Sequence, residues 1–301
     1  MIDYPLLQAL AAVITEKGFE KASKKLFITQ SAVSRRIRQL ESTLGEPVLV
    51  RSHPPKLTLT GQRLLNHLQQ VMQLEVSLGL ANFAEDLAYD KPLTVRLATN
   101  ADSLATWLPE ALAVPDSAMA GKLKFELVVE DQSVTLNRMK AGEVMICISS
   151  HPEPVNGGLV DVLGALPYKA VASPAFVERY GVDADLSVLP CLVFDENDSL
   201  QHQFLEDFKY DEPKYIHSCP SSEGFKQMIV AGLGYGLLPE LQIGNSLDNG
   251  ELVDLKPNYV INTVLFWHYW NTESPQLKAL RKHVLSVSKH RLKQSTSFDK
   301  A

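Results

Sequence analysis

Residues 19 to 44, FEKASKKLFITQSAVSRRIRQLESTL, constrain the fold more than any other stretch of the chain. Val33, Ile37, Leu40 and Leu44 recur at helical spacing, and at about 100° per residue they gather on one narrow stripe. Ser31, Arg35, Arg38 and Ser42 fall on the opposite side. Ahead of this helix the spacing predicts a shorter one, rich in Lys21, Lys24 and Lys25, and a tight turn between the two. A short helix, a turn and a cationic helix are the parts of a helix-turn-helix. One face is built to pack against the protein. The other offers the hydroxyls and guanidinium forks that hydrogen-bond base edges and phosphates, although such a face taken alone also fits an ordinary solvated helix.

The flanks decide between these readings. An amphipathic helix precedes, with Leu6, Leu10, Val13 and Ile14 on one side. Behind lies EPVLVRSHPPKLTLT, two short β-prone runs hinged on Pro54-Pro55, with Arg51 and Lys56 at a winged tip. The expected N-terminal domain, residues 1 to 60, is therefore a winged helix-turn-helix. Its candidate DNA contacts are Gln30, Ser31, Ser34, Arg35, Arg38, Arg51 and Lys56, and its partner is double-stranded DNA. The chain's net charge of −6 opposes this until it is divided. Residues 1 to 60 hold nine Lys or Arg against five acids, a net +4 that leaves −10 for the rest. That asymmetry puts the nucleic-acid footprint at the N-terminus.

From Thr60 to about Tyr89 no proline occurs, and Leu64, Leu68, Val71 and Leu78 repeat at steps of four, three and seven. The expectation is one long helix, capped by Thr60, whose apolar seam pairs with a copy of itself; a core helix of a single domain is the alternative. Residues 61 to 90 are thus the expected linker and dimerisation helix. Asp90-Lys91-Pro92 closes it.

Beyond that point β-prone runs (93–98, 123–129, 144–149, 168–172, 191–194, 235–238 and the aromatic 264–270) alternate with helical patterns. Such alternation predicts an α/β effector-binding domain over 91–301 with parallel sheets. Two lobes are expected, the first over about 91–165 and 265–293 and the second over about 166–264, with crossovers near Leu166 and Val264 and a ligand cleft between them. Asn100, Asp102 and Ser103 precede a helix built on Leu104, Leu108 and Leu112, and a cap at Asp102 or Ser103 would aim its positive end at a carboxylate; a cap without a ligand is the alternative. Ser222 and Glu223 open another helix. Glu130, Asp131 and Asp195, with Glu223, would set carboxylates on the rim, suited to a basic amino acid, although each alone also fits a solvated loop acid; Ser149, at the end of the run 144–149, completes the candidate set.

The eight histidines show no metal-ligand spacing and no Cys-x-x-Cys accompanies them, so neither a metal nor a cofactor is expected. Neither a nucleophile elbow nor a phosphate loop occurs, and no enzyme is expected. Gly232-Leu233-Gly234-Tyr235-Gly236 follows a helix and leads into a strand, the reverse of a dinucleotide loop. With no signal peptide, no run long enough to span a bilayer and three widely spaced cysteines (147, 191, 219), the expected compartment is the cytoplasm.

The run Ile28-Thr29-Gln30-Ser31-Ala32-Val33-Ser34-Arg35, followed by Ile37, Leu40-Glu41, Leu44-Gly45, Pro47, Arg51 and Leu59-Thr60 ahead of Gly61, resembles the N-terminal signature of LysR-type transcriptional regulators. Leu49-Val50-Arg51 with Pro54-Pro55, Asn100 through Leu108, and Val129-Glu130-Asp131 resemble the subgroup responsive to lysine and arginine that governs amino-acid export. The resemblance implies a periplasmic-binding-protein-like effector domain, a homodimer joined through the linker helix and paired into tetramers, a lysine or arginine effector, and RNA polymerase as a further partner. A nucleoid or replication-origin binder that ignores small molecules would share the DNA-binding half.

Overall fold

The computed structural model describes residues 3–50, 52–77, 93–113, 123–129, 135–140, 143–181, 184–196, 198–211 and 213–294. Arg51, Glu130 and Asp131, the stretch from Leu78 to Pro92 and the tail after Gln294 lie outside them.

Three helices, α1 (Tyr4–Thr15), α2 (Phe19–Lys25) and α3 (Gln30–Leu44), are followed by a two-stranded antiparallel wing of β1 (Leu49–Val50) and β2 (Lys56–Leu57). The start of α3 is set by Thr29, whose side chain accepts from the Ala32 N–H at 3.2 Å, a cap worth about 1 kcal/mol. Its end is set by Gly45, in the left-handed region at φ 76°. Val33, Ile37 and Leu40 are buried against Leu7, Leu10 and Val13 of α1, each burial stabilising by about 1.5–3 kcal/mol.

The next helix, α4 (Leu59–Ser77), departs from expectation in two ways. Its cap is Thr58, whose Oγ1 accepts from the Gly61 N–H at 3.1 Å, so the helix starts one residue before Thr60. Leu64 and Leu68, expected on a seam between copies, are buried in the chain's own N-terminal core with Leu6, Leu7 and Leu10. Of the large apolar side chains described on α4, Leu59 and Met72 face outward.

The remainder holds one mixed sheet of seven strands, with hydrogen-bonded order β10-β6-β11-β5-β3-β4 and β9 also beside β6. Its strands are β3 (Leu93–Thr99), β4 (Leu123–Val129), β5 (Ile146–Ser149), β6 (Gly158–Ala172), β9 (Gly236–Pro239), β10 (Val253–Asp254) and β11 (Ile261–Trp270). β7 (Pro190–Val193) and β8 (Tyr215–Ser218) form a separate parallel pair. The parallel sheets expected from alternation occur at β3-β4 and β3-β5, whereas β11 runs antiparallel to both β5 and β6. β11 lies between β5 and β6, which therefore run in the same direction although only residues 150 to 157 join them.

β6 and β11 are the long strands that tie the sheet together. Thr263 pairs with Leu166 and Val264 with Ala165, and there the register slips: Leu265 faces Gly164 but Phe266 faces Val162, leaving Leu163 unopposed. This bulge bends the strand. Gly164 sits in it at φ 129°, and a Cβ there would meet Leu292 Cβ at 2.9 Å and the Lys293 carbonyl oxygen at 3.1 Å, so the bend and the returning chain both favour glycine.

The helices on the sheet are α5 (Ala101–Ala105), α6 (Leu108–Leu112), α7 (Thr135–Lys140), α8 (Pro174–Tyr180), α9 (Ser199–Asp207), α10 (Ser222–Val230), α11 (Glu240–Ile243) and α12 (Pro275–Arg291). A single helix over Leu104, Leu108 and Leu112 is not formed. Pro109 has no N–H to donate to Ala105, and the chain breaks at Thr106 so that the fully buried Trp107 can enter the core.

Candidate DNA-reading face and ligand cleft

On α3 the side opposite the core carries Gln30, Ser31, Arg35 and Arg38 exposed and Ser34 half-buried. Ser31 Oγ lies 2.9 Å from Thr29 Oγ1, and Arg38 Nε donates to the Ser34 carbonyl at 3.4 Å. Arg38 is thus steered back along the helix, while Arg35 is exposed and available to an external acceptor. Lys56 is exposed on the wing. Arg51 falls outside the described residues.

The second site is a cleft formed where seven segments meet. Asn100, Ala101 and Asp102 come from the end of β3 and the start of α5, Tyr168 from the middle of β6, and Asp198, Leu200 and Gln201 from the start of α9. Ser222 and Phe225 come from α10, Gln242 from α11, and Leu192, Phe194, Leu237 and Leu238 complete an apolar floor. Asp102 stands at its centre. Its Oδ2 accepts from the Tyr168 hydroxyl and its Oδ1 from the Ser222 hydroxyl, each at 2.7 Å. Gln242 Nε2 donates to the Ser222 carbonyl at 2.8 Å and fixes the start of α10. Asp198 caps α9, accepting from the Phe194 N–H at 2.8 Å and the Leu200 N–H at 3.1 Å.

Two buried side chains of the lining have unspent hydrogen-bonding capacity. Asn100 Oδ1 has no partner, and neither amide atom of Gln201 has one within hydrogen-bonding geometry. Buried polar atoms are nearly always paired, so these mark a place for an outside group. The water-accessible space is about 50 Å³, where one water takes roughly 10–15 Å³. A few waters fit; an amino acid enters only if the walls part. Leu200 also lines a second, wider groove of about 470 Å³ bounded by Ser150, Gln203, Asp207, Tyr259 and Thr263.

Of the residues the sequence put at such a site, Asn100, Asp102 and Ser222 line it. Ser103 does not: it is a fully buried residue within α5, and the cap position belongs to Asn100. Ser149 is fully buried and does not line the cleft, accepting from the His151 N–H at 3.1 Å and lying 3.1 Å from His268 Nε2. Glu223 faces outward on α10 and accepts from Gln227 Nε2 one turn on, because only the Ser222 side of that turn is buried. Asp195 stays outside the lining, and Asp198, three residues later, takes its place. Glu130 and Asp131 lie outside the described residues.

Tyr168, Asp198, Gln201 and Gln242 were missed. Asp198 had a signal, since an Asp directly before the run Ser-Leu-Gln-His-Gln-Phe-Leu is a helix N-cap pattern. Tyr168 reads as one more aromatic in a strand. Nothing local distinguishes Gln201 from the solvated glutamine two residues on.

The helix-end argument for a carboxylate beside Asn100 also changes. α5 has five residues and carries Asp102 in its first turn, so the local charge there is negative. With Asn100 Oδ1 alongside, that wall is a set of acceptors and favours a cation. Elsewhere burial pushes the Cys191 thiol up to about 12 and lowers His268 to about 4, leaving both uncharged at neutral pH. Among the described residues no group of His, Cys, Asp and Glu is placed to hold a metal ion. No described helix is long and apolar enough to cross a membrane.

The family model for "bacterial regulatory helix-turn-helix protein, lysR family" matches residues 5–62, and that for "LysR substrate binding domain" matches residues 92–289. The chain is 47% identical over 292 residues to the HTH-type transcriptional regulator ArgP of Pseudomonas aeruginosa PAO1, covering 95% of this chain and 96% of that protein. It is 39% identical over 299 residues to the Vibrio vulnificus regulator of the same name, covering 97% and 99%. Among solved structures, ArgP from Mycobacterium tuberculosis superposes with a TM-score of 0.85 at 30% identity, covering 98% of this chain and all of that one. Full-length LysG from Corynebacterium glutamicum with bound effector Arg gives 0.78 at 32%, covering 97% and 100%.

Proposed function

The chain belongs to the LysR family of DNA-binding transcriptional regulators, and from that premise we propose that its cleft is the sensor for a free basic amino acid, lysine or arginine, which controls how the helix-turn-helix engages its operator. The observation that carries the reading is Asp102, an acid held between two hydroxyl donors from different segments beside the orphaned Asn100 Oδ1. An ammonium group supplies the same donors with a full positive charge. It would displace the Ser222 hydroxyl and take both acceptors.

The start of α10, next to Ser222, is the natural seat for the α-carboxylate, since α10 has nine residues and its first free amide groups point that way. The α-amino group then meets Asp102, and the side-chain cation reaches toward Asp198 and the Gln201 amide. The effector seen in the LysG structure is arginine, which agrees with this charge pattern. Support for the DNA half comes from the exposed Gln30, Arg35 and Lys56 and from the local net charge of +4 over residues 1 to 60.

We further propose a three-part organisation, with the reading head over 1–60, a linker helix over 61–90 and a two-lobed sensor over 91–301 hinged at the Ala165–Val264 pairing. Dimers joined through the linker, working in the cytoplasm and without catalytic activity, complete the reading. A thermal-shift screen of the full chain against the protein amino acids tests it, because a ligand at a hundred times its dissociation constant adds about 2.7 kcal/mol. Lysine and arginine are expected to raise the melting temperature. A chain that ignores every amino acid would favour an architectural DNA binder.

A further inference from the structure

We propose that Phe27, in the turn between α2 and α3, is a DNA-contacting residue that places its ring against an apolar surface of the operator, a thymine methyl group or the deoxyribose beside it. The inference rests on the reading that the N-terminal helices bind DNA. Two observations carry it. Phe27 is 94% exposed, well above the next large apolar side chain among the described residues, Leu59 at 69%. Its backbone is in the left-handed region at φ 53°, where a bulky side chain is a clear outlier.

The neighbours explain how the ring is presented. Leu26 and Ile28 both pack against the N-terminal core, so the residue between them is turned outward by the left-handed bend. The Phe27 N–H donates to the Lys24 carbonyl at 3.3 Å and the Ile28 N–H to the Ser23 carbonyl at 3.1 Å, which locks the turn. Glycine or asparagine would suit this backbone, and a polar residue would suit the exposure; phenylalanine suits neither in the free protein. Backbone strain of this kind collects at binding sites.

The occupant follows from position. Phe27 stands two residues before Thr29, which caps the exposed N-terminal end of α3 at Gln30 and Ser31, and follows the cationic end of α2 at Lys24 and Lys25. The N-terminal residues of a recognition helix are those that meet base edges, and phenylalanine is among the side chains that cover the thymine methyl. A ring in the turn would extend the contact beyond the bases that Gln30 and Arg35 reach.

The test uses a duplex selected by the unaltered protein from a random library, a random duplex of equal length, and the variants Phe27→Ala, Phe27→Asn and Arg35→Ala. Phe27→Asn fits the left-handed turn and keeps the fold testable, so its melting temperature is expected to equal or exceed that of the parent. Both Phe27 variants are expected to lose about tenfold in affinity for the selected duplex, the scale of burying part of one aromatic ring. Replacing each thymine in turn by deoxyuridine assigns the surface: a position where the parent weakens and Phe27→Ala does not marks a methyl contact, and no such position marks the sugar. If both Phe27 variants bind the selected duplex as the parent does while Arg35→Ala weakens it, the proposal is overturned and the DNA-binding reading stands. If Arg35→Ala also leaves binding unchanged, the underlying reading fails. A change in oligomeric state with unchanged DNA affinity would assign Phe27 to self-association instead and overturn the proposal.

Discussion

Asp102 and Ser222 are separated by 120 residues and joined by a hydrogen bond of 2.7 Å from the seryl hydroxyl to the carboxylate. The bond closes the cleft between the start of α5 and the start of α10, and it occupies the position an ammonium ligand would claim. Its two ends therefore have unequal consequences. Asp102→Asn removes the charge that draws the ligand and should weaken lysine binding about tenfold or more, since hydrogen bonds to charged groups contribute about 1.5–3 kcal/mol. Ser222→Ala removes only the competitor for Asp102 and should change the affinity by less than about threefold. Calorimetry on the two full-length variants checks the ordering, and equal losses would place Ser222 in contact with the ligand.

At the DNA end, Arg35 and Lys56 should separate cleanly. Arg35 is exposed on the reading face of α3, and Arg35→Ala is expected to lose discrimination between a selected operator and a random duplex. Lys56, on the wing, is placed for phosphate, and Lys56→Ala should weaken both duplexes alike and reduce the salt dependence by about one counterion. Titrations at two salt concentrations measure both effects.

The burial of Leu68 changes what a seam mutation reports. Leu68→Glu puts a charge into the core shared with Leu7 and Leu10, so it should unfold the N-terminal domain and cost several kcal/mol. Met72 faces outward on the same helix, and Met72→Glu is expected to leave the melting temperature nearly unchanged while shifting dimer to monomer. Light scattering at several concentrations alongside thermal melts distinguishes the two.

His268 predicts a specific pH dependence. It is fully buried, and its Nε2 lies 3.0 Å from the His151 carbonyl, which can only accept, so that nitrogen carries the proton and Nδ1 stays without a partner. Burial holds the folded pKa at about 4, below the ordinary 6.5. Between these values the unfolded chain binds the extra proton, so stability falls as the pH drops from about 6.5 toward 4, by an amount on the order of 3 kcal/mol, and levels off below. Urea unfolding should show this slope in the parent and a flatter one in His268→Gln.

What the sequence shows of this molecule divides by range. The α3 stripe of Val33, Ile37 and Leu40 follows from a local period, and the helix is found with its stripe buried. The break before Leu108 has a local trace in Pro109, but its position is set by burial of Trp107 in a distant core, which overrides the period. In the cleft, Asn100, Asp102 and Ser222 stand at element starts, where turn chemistry marks them. Tyr168 reaches Asp102 from 66 residues away, and Gln201 is buried only because the second half of the sheet closes over it. Acids such as Glu223 looked equivalent to Asp102 until the helix phase turned them to solvent. The register slip opposite Leu163 likewise depends on pairing with a strand about a hundred residues on, although Gly164 is its visible trace.

The central claim is that the cleft recognises a basic amino acid through charge, and calorimetric titration of the full-length protein with lysine, arginine, norleucine and glutamate tests it most directly. Lysine and arginine should bind. Norleucine, which matches lysine without the side-chain cation, should bind at least tenfold more weakly because the Asp198 carboxylate and the Gln201 amide then meet an apolar chain end in place of a cation, and glutamate should not bind at all. Norleucine binding as tightly as lysine, or glutamate binding best, would contradict the account.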